Sequence, residues 1–141
     1  MNNDYLIDIV GTQKIDDDED VIEVTTTGGY TIAPTGNKFI RYKEYDDENP
    51  SITQNTTIKV SDEQVVISRN GGDESQLMLE LNKRHQCHYL TPAGPLLIGV
   101  YTKKMEIALD DKGGQLSVEY TLDFNSNIVS ENKFDIKIKK N

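Results

Sequence analysis

The sequence predicts an all-β fold, a single closed or nearly closed antiparallel barrel, and three observations carry that expectation. Apolar residues recur at every second position through Leu116, Val118, Tyr120 and Leu122, with Ser117, Glu119 and Thr121 between them, and Met105, Ile107 and Leu109 alternate in the same way just upstream. Turn signals separate nine or ten such segments at regular spacing, a pattern of barrels and sandwiches. The first and last segments each have one apolar face, so pairing them removes two sheet edges. Thr102–Asp111, the best helical rival, fits period two better than a helical period.

Composition agrees. The chain of 141 residues is long enough for one domain, spanning 1–141, that buries roughly two-thirds of its unfolded surface. Its 35% hydrophobic content suits strands with one wet face. With 15 basic and 24 acidic residues, net −9, the surface repels phosphate backbones, so neither nucleic-acid nor anionic-membrane binding is expected. Cys87 is the one cysteine, so an intrachain disulfide is impossible and a reducing, cytoplasmic setting is expected. The segment MNNDYLIDIV lacks a signal-peptide pattern, and no stretch approaches membrane-spanning length.

Taken in order, Tyr5 to Gln13 alternates weakly, with Gly11 a candidate bulge. Asp16 to Asp20 reads as a charged loop. Val21 to Thr27 is β-branched almost throughout and favours a strand, which Gly28-Gly29 is expected to break. A loop over Ala33 to Asn37 leads into a strand over Lys38 to Tyr45, and Asp46 to Pro50 forms a turn. Thr53–Ser61 and Gln64–Asn70 form a tight hairpin around Asp62-Glu63. Ser61 opposite Gln64 places Val60 against Val65, Ile58 against Ile67 and Thr56 against Arg69. Strands over Leu77–Leu81 and Cys87–Thr91 follow, then a corner at Pro92-Ala93-Gly94-Pro95. Ile98, Val100 and Thr102 share one phase while Met105, Ile107 and Leu109 share the other, so a bulge near Lys103-Lys104 is required. The turn Asp110 to Gly114 is expected to pair Leu109 with Leu116, Ile107 with Val118 and Met105 with Tyr120. After a loop at Asn125 to Asn127, Phe134, Ile136 and Ile138 form one face of the last strand.

The order and spacing of several pieces along nearly the whole chain resemble the YwiB-like family, a bacterial domain-of-unknown-function family with a calycin-like β-barrel. They are Gln13, Glu23 with Thr27-Gly28, Tyr42-Lys43-Glu44, Thr57 and Lys59, then Ile67, Arg69 and Gly71, and Met78. Tyr89, Thr91-Pro92 and Gly94 follow, with Thr102 and the Leu116, Val118, Tyr120, Leu122 series. The resemblance implies an up-and-down barrel similar to lipocalin-type folds. It carries over no catalytic residue. Glu80 stands where relatives carry an aromatic shortly after Met78, a departure in the expected lining.

Candidate chemistry centres on Tyr42, Glu44, Arg69, Tyr89 and Tyr120, polar residues in phase with apolar neighbours. A buried guanidinium requires a partner, and Glu44 is the expected one. These five residues would anchor a small amphipathic ligand, or form an internal ion pair and rim that fix the barrel's register. His85, Cys87 and His88 supply too few converging ligands for zinc, since His88 points away from the other two. They also lack the orienting group and oxyanion hole of Cys–His catalysis. The acidic runs at 16–20 and 46–48 lack the spacing of a calcium loop. The glycine pairs 28-29, 71-72 and 113-114 fall at expected hairpin turns rather than before a helix, which argues against a phosphate cradle. No catalytic residue, metal site or cofactor is therefore expected. The leading expectation is non-catalytic binding of a small amphipathic ligand inside the barrel. The alternative is a structural or protein-interaction module with a filled interior, because barrels of about eight strands can be either filled or hollow.

Overall fold

The computed structural model describes residues 5–45, 53–70, 75–91, 94–124 and 127–140, without the side chains of residues 44–45, 53–54, 70, 75, 89–91 and 94–95. Among these described residues ten strands follow one another: β1 (Tyr5–Ile15), β2 (Asp18–Ile32), β3 (Lys38–Tyr45), β4 (Thr53–Val60), β5 (Gln64–Asn70), β6 (Ser75–Glu80), β7 (Arg84–Thr91), β8 (Gly94–Asp110), β9 (Gly113–Phe124) and β10 (Asn127–Lys140). Each pairs antiparallel with its neighbours in the chain, and β10 returns to β1, so the ring is a closed up-and-down barrel. Closure sets Ile7 against Ile138 and Ile9 against Ile136, as the two one-sided terminal strands require.

The inward phase is continuous around the ring. Ile7, Ile40, Ile58, Val60, Val65, Leu79, Val100, Leu116, Val118 and Ile136 are all fully buried. Each such aliphatic side chain contributes roughly 1.5–3 kcal/mol relative to exposure. The expected β4–β5 hairpin forms residue for residue, with Val60 opposite Val65, Ile58 opposite Ile67 and Thr56 opposite Arg69. The expected bulge in β8 lies between Thr102 and Lys104, where it switches the inward phase from Val100 and Thr102 to Met105 and Ile107. The region read as the best helical rival is strand throughout.

Four local expectations are corrected. Gly28-Gly29 lies inside β2 rather than breaking it. A Cβ at Gly28 would collide with the Arg41 carbonyl oxygen and the Ile7 side chain, so the glycine marks a close approach of neighbouring strands. Gly11 carries no bulge, since β1 keeps one register with both neighbours through it. The acidic run is mostly strand: the turn is only Asp16 and Asp17, with Asp16 at φ 54°, and β2 begins at Asp18. Aspartate tolerates that left-handed conformation through local hydrogen bonding.

The β8–β9 turn is also tighter than expected. It contains only Asp111 and Lys112, so Leu109 faces Gly114, Ile107 faces Leu116, Met105 faces Val118, and Thr102 faces Tyr120. The shift of two residues keeps every side chain on its intended face. Gly113 and Gly114 adopt φ 118° and 133°, and side chains there would strike the carbonyls of Ile138 and Ala108.

The barrel end where β1 begins and β10 ends is plugged. Tyr30, on β2, donates its hydroxyl to the Asp110 carbonyl at the end of β8 (2.6 Å), and its ring meets Tyr5 edge-on with centroids 5.5 Å apart. Burial, with Asp110 nearby, pushes the Tyr30 phenol up to about 12. On the outer wall, Arg84 of β7 lies across Gly99 of β8 and grips Asp123 of β9 with two hydrogen bonds, Nε to Oδ2 at 3.0 Å and Nη2 to Oδ1 at 2.6 Å. This fork ties three strands beside the irregular β6–β7 seam. Among the described residues that seam pairs Ser75 with Tyr89 and bridges Glu80 to Lys83, and the Met78 N–H donates to Cys87 Sγ at 3.4 Å.

Two tests follow from this architecture. Deleting the chain from Phe134 onward removes the side chains of Phe134, Ile136 and Ile138 from the core and reopens β1 and β9. The truncated chain is expected to lose cooperative unfolding in a urea titration, and a sharp wild-type-like transition would show that closure is dispensable. Gly99→Ala should displace the Arg84 guanidinium and lower the melting temperature, whereas in an Arg84→Met background the same change should have little effect. Equal losses in both backgrounds would show that Gly99 acts through something other than the Arg84–Asp123 fork.

Candidate functional site

Two rows of polar residues interrupt the aliphatic interior. In the first, Tyr42 of β3, Thr56 of β4 and Arg69 of β5 occupy facing register positions on three adjacent strands. Tyr42 and Thr56 are buried and Arg69 is half-buried, with its Nε shielded from solvent. In the second, Thr102 of β8, Tyr120 of β9 and Asn132 of β10 face one another in the same way. Tyr42, Thr56, Arg69 and Tyr120 all lie on the halves of their strands away from the Tyr30 plug.

Alternation along each strand accounts for the placement. Thr56 continues the phase of Ile58 and Val60, Thr102 that of Ile98 and Val100, and Tyr120 that of Leu116 and Val118. The two threonines stand apart from the other members of the rows. Their Oγ1 atoms are buried with no hydrogen-bond partner among the described residues, whereas Tyr42, Arg69 and Tyr120 are each engaged by a neighbour. An unsatisfied buried hydroxyl costs about 1–3 kcal/mol. Each row thus combines a tyrosine with an unengaged hydroxyl, an arrangement suited to receiving a polar group from outside the chain. Asn132 donates to Ser130 at 3.0 Å, so the second row continues into a buried serine of β10.

Of the five residues expected from the sequence, Tyr42 and Arg69 flank one threonine, and Tyr120 belongs to the second row. Glu44 sits two positions beyond Tyr42 on β3, and Tyr89 sits opposite Ser75 and Leu96. The side chains of Glu44 and Tyr89, and with them the expected Arg69–Glu44 pair, lie outside the described residues. The two threonines were missed as site residues because threonine is common in strands on either face. Their phase with Ile58 and Val100 was the available signal.

The other candidates resolve into structural contacts. His85 Nε2 meets Glu80 Oε1 at 2.8 Å, and Lys83 Nζ meets Glu80 Oε2 at 2.9 Å. Hydrogen bonds from Lys83 and His85 hold the Glu80 carboxyl below its usual range. Glu80 follows buried Leu79 and serves this ion cluster, so the departure from an aromatic at that position does not alter the inward row of Leu77 and Leu79. Cys87 is buried and occupied by the Met78 N–H, while His88 is exposed. Among the described residues no group of three or more His, Cys, Asp or Glu side chains converges as a metal site would require. Among the described residues, open grooves of about 520 and 170 Å³ lie on the outer wall, the first beside Asp8, Gln115, Lys137 and Lys139, the second beside Lys14, Glu19 and Glu131.

These features define a closed, ten-stranded β-barrel with a partly polar interior. The profile of the family described as "Domain of unknown function (DUF1934)" matches residues 7–136, and the chain belongs to that family. It is similar to the uncharacterized beta-barrel protein YwiB of Bacillus subtilis (strain 168), with 28% identity over 107 residues, 76% of this chain and 72% of that protein. The crystal structure of the ywiB protein from Bacillus subtilis superposes with a TM-score of 0.84 at 21% identity, covering 97% of this chain and 91% of that one. The likeness extends the barrel fold across both proteins.

The unengaged hydroxyls yield a prediction with a sign. Thr56→Val and Thr102→Val, measured separately by urea unfolding of the ligand-free protein, should each raise stability by about 1 kcal/mol. A loss of similar size at either position would show that its hydroxyl is already held by a partner.

Proposed function

We propose that this protein is a non-catalytic binder of a small amphipathic molecule, which enters the barrel at the end away from the Tyr30 plug. The observation that carries the reading is the pair of buried hydroxyls, Thr56 and Thr102, that have no partner among the described residues, each facing a tyrosine across a strand pair. A polar group of the ligand would satisfy one or both hydroxyls, with Tyr42, Arg69 and Tyr120 around it, and an apolar part would lie against the aliphatic interior. Two further features support the reading. A ring of ten strands is wider than the roughly eight-stranded size whose interior side chains can fill, and pockets of this kind combine an apolar lining with a few placed polar groups. Glu44 and Tyr89 are included in the proposed site on register alone. Its setting in this reading is the cytoplasm, in keeping with the single cysteine and the acidic surface.

Native mass spectrometry of gently purified protein tests the proposal. The wild type should carry a small-molecule adduct, and the Thr56→Val/Thr102→Val double variant should lose it while keeping cooperative unfolding. Wild-type protein that is repeatedly free of adduct, with no stabilisation by a panel of fatty acids and other small amphipaths, would favour a filled structural barrel instead.

A further inference from the structure

Among the described residues, the long hairpin of β1 and β2 leaves one strand edge without a partner. β2 pairs with β1 along its length from Asp18 to Gly28, but with β3 only from Gly28 to Ile32. From Asp18 to Thr27 its other edge has no strand partner among the described residues, and Val21, Ile22 and Val24 are 54%, 66% and 40% exposed. Alternate backbone N–H and C=O groups along such an edge are left to water and form a template for an incoming strand.

Its side chains indicate what kind of strand it accepts. Ile22 and Val24 share the face of Ile9, which faces Val24 across the β1–β2 ladder, and Glu23 lies on the opposite face. Asp18, Glu19 and Asp20 crowd the far end. Only Glu19 has a basic cross-strand neighbour, Lys14, while Asp18, Asp20 and Glu23 face Ile15, Gln13 and Val10. This distribution opposes pairing of two copies through their acidic ends and complements a basic strand. We propose that the β2 edge from Asp18 to Thr27 is a docking site for an extended strand of a partner protein, one reading apolar–basic–apolar and followed by further basic residues. The chain's own β10 has that pattern, with Ile136, Lys137, Ile138, Lys139 and Lys140 in succession. Laid antiparallel with Ile136 opposite Val24, such a segment sets Lys137 opposite Glu23, Ile138 opposite Ile22 and Lys140 opposite Asp20. Main-chain hydrogen bonds would supply affinity, and the alternating side chains selectivity.

A synthetic peptide copying residues 134–140 is the probe, titrated into the full-length protein and followed by amide NMR shifts. Binding should perturb the β2 edge from Asp18 to Thr27 and weaken as salt is raised. A peptide with its lysines changed to glutamate should not bind. The Asp20→Lys/Glu23→Lys variant, altered only at exposed positions, should lose the first peptide and gain the second, with an unchanged circular dichroism spectrum. Any of three results would overturn the proposal: no shifts at the β2 edge, shifts confined to β1 and β9 through displacement of β10, or equal binding of both peptides. Sedimentation equilibrium showing that a second copy already occupies this edge would overturn it as well.

Discussion

Closure of the ring through β1 and β10 is the constraint on which the rest of this molecule depends. Ten antiparallel strands can close only if the inward phase returns to itself, so that Ile7 and Ile9 on the first strand meet Ile138 and Ile136 on the last. Side chains alternate with period two, and a register error of one residue anywhere in the ring would turn a strand's aliphatic face to water. The bulge between Thr102 and Lys104 shows the constraint at work. β8 changes its inward phase partway along, and one extra residue keeps both halves facing the core. A second irregularity between Ile128 and Ser130 adjusts β10 against β9 near the opposite rim.

The wall is not uniformly tied. β8–β9 and β9–β10 form long ladders, each with one irregularity, whereas among the described residues β6–β7 shows one ladder position, Ser75 with Tyr89, a bridge between Glu80 and Lys83, and a thiol accepting a backbone N–H. Two devices on the exterior compensate beside that seam. The Arg84–Asp123 fork spans β7 to β9 over a glycine, and the β6–β7 turn docks on β8 through the Asn82 N–H and the Thr102 carbonyl at 2.8 Å. The same Thr102 has a buried hydroxyl with no partner among the described residues. One residue therefore joins the β6–β7 turn, through its backbone, to the polar row of the candidate site, through its side chain.

The interior itself divides by chemistry. Toward the termini it is closed by the Tyr30 hydroxyl and the Tyr5 ring, and tyrosine serves there as a structural plug with its polar tip satisfied within the chain. Toward the other end, Tyr42 and Tyr120 neighbour threonines whose hydroxyls no described residue engages. That contrast, between a tyrosine satisfied within the chain and two threonine hydroxyls with no partner among the described residues, is the physical basis for placing the proposed site in one half of the barrel. Well-packed cores seldom retain buried hydroxyls without partners, because each costs stability that an apolar isostere would not.

Much of the fold was legible because alternation is a local signal. The β4–β5 hairpin, the extent of β3, the bulge in β8 and the closing pair of strands all follow from apolar parity and turn residues. Arg69 and Tyr42 could be assigned inward by the same parity. Local pattern could not tell whether a glycine marks a turn or a close approach. Gly28 is required by Ile7 and Arg41, which come from two other strands. Nor could it set the tight β8–β9 turn, where Gly113 and Gly114 lie against carbonyls of β10 and β8. The candidate threonines were hidden for a related reason: whether a buried hydroxyl has a partner depends on strands remote in sequence. By itself the sequence determined the class of fold and which face of most strands is apolar, since period-two burial is written residue by residue. Only the tertiary structure decided the final register, and, among the described residues, the unpaired edge of β2 and the two threonine hydroxyls without partners, because each is a relation between strands brought together by closure.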